Sequence, residues 1–502
     1  MIRLELQFYK ATDPCLQRVK REVQYQEQTQ EVRLGDGMPD IGRVLGTWGQ
    51  VLLRGKEWRS GGMGVTGGIM AWVLYAPEDG GQTQCVETWI PFQMKWDFSD
   101  TERDGIINAV CRLKNMDARS TSTRKLIVRA CVGVLGEALM PGEMARYMPQ
   151  ELPEDIQILK KTYPLYLPRE AGEKPFNLEE VLDVPGSVPA VEKLMRYELQ
   201  TELIDQKVLG SKVVFRGAGI LHILYRADDG NLYSWDFELP FSQYSELDHD
   251  YEQDAQSRVW LAVTGLEMDR DDEGKLHLKA GLTAQYMISD RTMVEVVEDA
   301  YSPRRRMTAK TEAQQLPCIL DETVQTIRAE QTAEVEGGRV VDIAFYPDHP
   351  RLLRGDSGIE AEIPVQFQLL YYDQDGVLQC TAPRWEGRSS LNAGEFTQVE
   401  AVSSATGKAQ AVFNSGRAEL RGEVLMEATT GSQRGVPMIT GLELGEMTEP
   451  DPNRPSLILC RAGEEALWDI AKRTGATVEG IREANHLSDE ASPGQMLLIP
   501  IA

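Results

Sequence analysis

A repeated pattern constrains this chain more than any other feature. Gly67-Gly68-Ile69-Met70-Ala71-Trp72-Val73-Leu74-Tyr75 returns 150 positions later as Gly217-Ala218-Gly219-Ile220-Leu221-His222-Ile223-Leu224-Tyr225. An Asp-Gly pair follows each run, Asp79-Gly80 and Asp229-Gly230. Trp89-Ile90-Pro91-Phe92 and Glu238-Leu239-Pro240-Phe241 come next. A weaker third copy reads Val365-Gln366-Phe367-Gln368-Leu369-Leu370-Tyr371, then Asp375-Gly376; it lacks the Pro-Phe step and has Arg384-Trp385 near that place. Apolar, β-branched and aromatic residues favour strands, and Asp-Gly tolerates the positive φ of a tight hairpin turn. Each copy therefore predicts a β-hairpin, and three ordered features at one spacing point to duplication.

The chain has 502 residues, too many for one core, and 42% are hydrophobic, enough for several folded domains. The expected architecture is multidomain and mainly β. Three β-rich domains span 1–150, 151–310 and 311–448, a Pro-rich linker covers 449–456, and a small β-α-α-β domain covers 457–502. Pro39-Asp40-Ile41-Gly42-Arg43-Val44-Leu45 is matched with Pro175-Phe176-Asn177-Leu178-Glu179-Glu180-Val181-Leu182 as a second shared element. Alternating runs follow downstream, as in Leu126–Val132 and Ala418–Val424. The Pro- and Glu-rich stretch Pro141–Pro189 is expected to carry a helix leading into the second domain. Glu449-Pro450-Asp451-Pro452-Asn453-Arg454-Pro455 reads as a stiff spacer.

After the spacer, Leu457-Ile458-Leu459-Cys460 predicts a strand. Glu464 and Glu465 suit the first turn of a helix, where carboxylates meet the positive dipole end. Leu467, Ile470 and Ala471 then recur at helical spacing, and Gly475 stops the helix. Thr477 is the expected cap of a second helix carrying Val478, Ile481 and Ala484. Pro493-Gly494-Gln495 turns the chain into a closing strand, Met496–Pro500.

The formal charge of −25, from 53 basic and 78 acidic residues, opposes contact with nucleic acid or anionic lipid. Arg304-Arg305-Arg306 reads as a solvated loop. The N-terminus lacks the apolar stretch of a signal peptide, and the longest apolar run, Gly68–Ala76, is too short to span a bilayer. The expectation is a chain made in a cytosol with no membrane span. Seven scattered cysteines form no C-x-x-C pair, which suits a reducing compartment.

Motifs for chemistry are sparse. Gly62-Met63-Gly64-Val65-Thr66-Gly67 fits G-x-G-x-x-G, but a strand rather than a helix follows, so a hairpin loop is expected instead of a dinucleotide site. Gly355-Asp356-Ser357-Gly358 and Arg354-Gly355-Asp356 read as a turn between strands. Five separated histidines lack metal spacing, and His222 reads as a satisfied residue of an apolar strand. Asp271-Asp272-Glu273 reads as loop charge. No catalytic residue, cofactor or metal is expected.

Two resemblances complete the reading. Gly463, Leu467-Trp468-Asp469-Ile470-Ala471-Lys472-Arg473, Val478–Ile481, Asn485 and Pro493–Pro500 resemble LysM. That resemblance implies binding of N-acetylglucosamine glycans such as peptidoglycan, between the loop before the first helix and the loop after the second. Those loops are Gly463, Glu464, Glu465 and Ala466, and Asn485 and His486. The family pattern has two residues between Gly and Leu; this chain has Glu464, Glu465 and Ala466, so a coat protein is the competing ligand. The repeated units resemble SPOCS domains of endospore-forming bacteria. SPOCS repeats with a terminal LysM imply a spore-coat morphogenetic adaptor, made in the mother cell and recruited to the forespore surface. Its partner would be a coat scaffold ATPase or another coat protein. The alternative is a peptidoglycan hydrolase, or another cell-wall-binding protein, anchored by LysM.

Overall fold

The computed structural model describes the backbone of residues 4–99, 104–335, 338–355, 358–391, 398–414, 416–448 and 455–501. Strand β1 (Leu4–Gln7) comes first, then three sets of strands. The first set is β2 (Tyr9–Arg33), β3 (Ile41–Arg59), β4 (Gly62–Pro77), β5 (Gln84–Asp97), β6 (Ile106–Ser122) and β7 (Lys125–Met148). The second is β8 (Gln157–Leu182), β9 (Val191–Ala227), β10 (Leu232–Tyr251), β11 (Gln256–Arg270) and β12 (Leu276–Tyr301). The third is β13 (Arg305–Ala333), β14 (Arg339–Pro347), β15 (Arg351–Gly355), β16 (Gly358–Tyr372), β17 (Leu378–Thr381), β18 (Arg384–Leu391), β19 (Gln398–Asn414) and β20 (Arg417–Met447). The chain closes with β21 (Leu457–Arg461), α1 (Leu467–Thr474), α2 (Val478–Asn485) and β22 (Met496–Pro500).

All three sets share one topology. One antiparallel sheet runs β2-β7-β6 in the first set, β8-β12-β11 in the second and β13-β20-β19 in the third. The other carries the repeated hairpin: β3-β4-β5, then β9-β10, then β16 flanked by β14, β15, β17 and β18. Strand β9 doubles back at Gly210 (φ 59°) and so does the work of β3 and β4 together. The Asp-Gly turns form as expected, with Gly80, Gly230 and Gly376 at φ 72°, 80° and 77°.

Side chains mark the same equivalence. Tyr75 Oη donates to the Pro39 carbonyl at 3.0 Å, and Tyr225 Oη donates to Pro189 at 3.0 Å. A Cβ on Gly67 would lie 2.4 Å from the Leu52 carbonyl and 2.5 Å from Phe92 Cζ; on Gly217 it would lie 2.1 Å from the Glu202 carbonyl and 2.7 Å from Phe241 Cζ. Gly67 pairs with Phe92, and Gly217 with Phe241. The third set inverts this pair, with Ile363 opposite Gly387, and Trp385 covers Gly387 from its own strand. The Pro-Phe step is missing there because the bulky residue has moved to the other strand.

Four expectations need correction. Arg304-Arg305-Arg306 is not a solvated loop: Arg305 begins β13, and its guanidinium holds Asp155 at 2.7 and 2.5 Å. Pro39–Leu45 does not correspond to Pro175–Leu182. The tyrosine contacts align Pro39 with Pro189, and Pro175–Leu182 lies in β8, paired to β12. Short Pro-and-aliphatic patterns recur too readily to fix an alignment. No helix lies in 157–182: that stretch is β8. Tyr163, Leu165 and Leu167 are buried at every second position, the period of a strand, which a helix would scatter around its circumference. The Gly62–Gly67 stretch is no loop but the buried start of β4.

The sets pack in cyclic order. β3 lies against β11, β9 against β19, and β14 against β6. One core runs through all three, from Trp48 and Trp72 through Leu221 and Ile223 to Leu370. The long hairpin ends meet in a second shared core that joins Cys15 and Met144, Leu165 and Val296, and Leu316 and Met438. Strand β1 pairs with β20, Leu4 opposite Leu444, so the first strand of the chain completes a sheet of the third set.

Candidate functional site

The sequence-expected site lies in the C-terminal module. Its two strands pair with Leu459 opposite Leu498, and its helices pack on one face of that pair. Leu467, Ile470, Ala471, Ile481, Leu497 and Ile499 form the core. Thr477 caps α2, its side chain accepting from the Gly480 N–H at 3.0 Å. Gly475 ends α1 at φ 69°.

The N-terminus of α1 differs from expectation. The helix begins at Leu467, so Glu464 and Glu465 precede it. Its cap position, Ala466, has no side-chain acceptor. Instead Glu490 Oε2 accepts from the Leu467 N–H at 2.7 Å. A carboxylate at that position satisfies an otherwise orphan donor at the positive end of the dipole. Glu490 lies 23 residues downstream, in the loop after α2, so this bond ties the two candidate loops together. Glu465 pairs instead with Arg473 at 2.7 Å.

Gly463, Glu464, Glu465 and Ala466 are all exposed, as is His486. His486 ends α2 in the left-handed region (φ 53°). Asn485 is committed elsewhere. Its Nδ2 donates to Ile481 O at 2.8 Å and Leu498 O at 2.6 Å, and its Oδ1 accepts from Leu498 N–H at 2.7 Å. Its amide clamps α2 to β22, so of the six residues it is the one whose polar atoms face inward.

The module docks on the second set. Trp468 Nε1 donates to Asp299 Oδ2 at 2.8 Å. Lys472 Nζ reaches the same carboxylate at 2.6 and 2.8 Å. Tyr301 Oη donates to Ala476 O at 2.8 Å, and its ring meets Trp468 edge-on at 4.8 Å. Burial alone raises the Asp299 pKa, but the hydrogen bonds from Lys472 and Trp468 and the lysine charge outweigh it and hold it below its ordinary value. The docked side is thus the Trp468–Lys472–Ala476 side, while the loops at 463–466 and 486–490 stay open to solvent. Spacing in the sequence signalled the helix, but nothing in it singled out Asp299, Tyr301 or Glu490.

Elsewhere, His222 sits in a buried ionic cluster. Asp342 accepts from His222 Nε2 at 2.6 Å and from Arg196 at 2.8 Å, and Asp236 engages His222 Nδ1. The Arg196 guanidinium also lies 5.0 Å over the Trp48 ring, so one side chain touches all three sets. Burial lowers the His222 pKa, but Asp342 and Asp236 raise it to about 9. Both imidazole nitrogens face carboxylates, which suits a structural cation more than a general base. Gly355 ends β15 and Gly358 begins β16; Asp356 and Ser357 lie outside the described residues, as do Glu449–Arg454. Among the described residues, no helix is long and apolar enough to cross a membrane.

Residues 464–500 match the LysM domain. The match points to peptidoglycan or glycan binding, and it begins one residue after Gly463. No curated protein and no solved structure matches the chain. The β-α-α-β order and the two short helices of the LysM domain agree with the sequence reading.

Proposed function

We propose that this protein is a non-enzymatic adaptor of a spore envelope, in which a body of SPOCS-like β units carries a LysM domain. The body contacts a coat scaffold ATPase or another coat protein, and the LysM loops contact peptidoglycan or a second coat protein. The chain is made in the mother-cell cytoplasm and recruited to the forespore surface. One observation carries this reading. Asp299 and Tyr301 hold the LysM domain by its Trp468–Ala476 side, and Gly463, Glu464, Glu465, Ala466 and His486 remain exposed. A ligand can therefore approach the loops while the domain stays attached. Holding both contacts on one chain raises the effective concentration of the second, so individually weak contacts suffice.

Two measurements test it. Co-sedimentation with purified peptidoglycan decides between glycan and protein as the LysM ligand. Glu464→Ala and Glu465→Ala should alter binding if the first loop is the contact. A tagged full-length chain should collect at the forespore in a sporulating host. A chain that stays diffuse while the coat assembles normally without it rules out the adaptor role.

A further inference from the structure

We propose that the chain forms an internal isopeptide bond between Lys56 and Gln285, which joins the first set of strands to the second covalently. This goes beyond the adaptor reading and does not depend on it.

The groups come together from four strands. Lys56 lies near the end of β3. Gln285 lies in β12, and Glu173 of β8 stands directly opposite it in the register. Lys56 Nζ donates to Gln285 Oε1 at 2.8 Å and to Glu173 Oε2 at 2.7 Å. An amine, a carboxamide and a carboxylate thus meet at one point.

The carboxamide is held in place. Gln285 is fully buried. Its Oε1 also accepts from the Ala109 N–H at 2.8 Å, and its Nε2 donates to the Ala109 carbonyl at 2.8 Å. Ala109 belongs to β6 of the first set, so this amide is already pinned across the seam. The amine is partly stripped of water, with only 14% of the Lys56 side chain exposed. Burial holds its pKa below the ordinary lysine value, against the pull of Glu173. A desolvated lysine beside a base is an activated nucleophile.

The step balances without an oxidant or any outside reagent. Glu173 takes a proton from Lys56 Nζ, and the freed lone pair attacks Gln285 Cδ. The oxygen that becomes negative is Oε1, which the Ala109 N–H already holds, as an oxyanion site requires. The bond from Cδ to Nε2 then breaks, Glu173 returns the proton to that nitrogen, and ammonia leaves. One amide replaces another. Fixing both partners on packed strands supplies the proximity that free amines and amides lack. The two residues are 229 positions apart, so the bond constrains a long loop of the unfolded chain. It also fastens the seam where β3 packs on β11.

The test is mass spectrometry of the full-length chain, purified, aged and then denatured. The intact mass should fall short of the sequence by one ammonia. Trypsin should fail to cut after Lys56 and should release a branched peptide of residues 55–59 joined to residues 280–291. Lys193 is the internal control: it donates to Gln84 at 3.0 Å but makes no ion pair among the described residues, so trypsin should cut there as usual. Lys56→Arg keeps the charge and Glu173→Gln removes the base; both should keep the far-UV spectrum, show the full mass and melt below the wild type. An aged wild-type chain of full mass, cut normally after Lys56, overturns the proposal. So does a loss of ammonia without the branched peptide, or a Glu173→Gln chain that forms the bond as fast as the wild type.

Discussion

Asp299, near the end of β12, accepts from the Trp468 indole at 2.8 Å and from the Lys472 ammonium at 2.6 Å. The two donors lie one helical turn apart on α1, so a single carboxylate reads one face of the LysM helix. Asp299→Ala should free the LysM domain from the body. It leaves the indole N–H of a buried tryptophan unpaired, a cost of about 1–3 kcal/mol; the lysine, half exposed, adds little. Trp468 emission should shift to the red, and proteolysis at the linker should speed up.

The same contact has a pH dependence of known sign. The Asp299 pKa is depressed in the folded chain. Its contribution is therefore present above the ordinary carboxylate range and is lost as pH falls through the depressed value. Undocking in acid, followed by the same fluorescence shift, should precede loss of the β signal. An unchanged emission until global unfolding would contradict this.

The His222 cluster acts in the opposite direction. Its pKa is raised to about 9, so its stabilisation is complete below the ordinary histidine value and is lost as pH rises through about 9. The gap in melting temperature between wild type and His222→Gln should narrow from pH 6 to pH 10 on this basis. Asp342→Asn takes from Arg196 the closer of its two buried carboxylates, leaving Glu198 at 3.6 Å, and should cost about 3 kcal/mol. Thermal melts across pH give both answers.

Gly67→Ala and Gly217→Ala should each destabilise the chain by about 1–3 kcal/mol. The added methyl meets a backbone carbonyl, Leu52 or Glu202, and an aromatic ring, and the carbonyl cannot swing away. A serine at Gly463, where a Cβ meets only a backbone nitrogen at 4.0 Å, should leave the melt unchanged. Equal melts for Gly67→Ala and Gly463→Ser would refute the packing argument.

Residues 457–501 should fold as a separate fragment, because the LysM core needs nothing from the body except the cover over Trp468. The fragment should melt cooperatively but lower than the docked domain. Ile470, fully buried, tolerates no charge: Ile470→Asp should cost several kcal/mol and unfold the fragment. Circular dichroism of the two fragments decides it.

What the sequence determined by itself was local. Alternating apolar runs, Asp-Gly pairs and helical spacing are set within a few residues. The three hairpin turns at Gly80, Gly230 and Gly376 and the β-α-α-β order of the last module could be read without a structure. Longer-range features could not. The helix expected between Pro141 and Pro189 became β8, because Tyr163, Leu165 and Leu167 are drawn into a core shared with the other two sets. The match of Pro39 to Pro189 depended on where two tyrosine hydroxyls point. Asp299, Tyr301 and Glu490 look like ordinary loop or strand residues along the chain. They gain their roles only where distant segments meet, because a carboxylate becomes a helix cap or a docking point through the donors that the fold brings to it. Asn485 made the reverse passage: a candidate for ligand contact by its position in the sequence, it is held by the β22 backbone once the strand folds beside it.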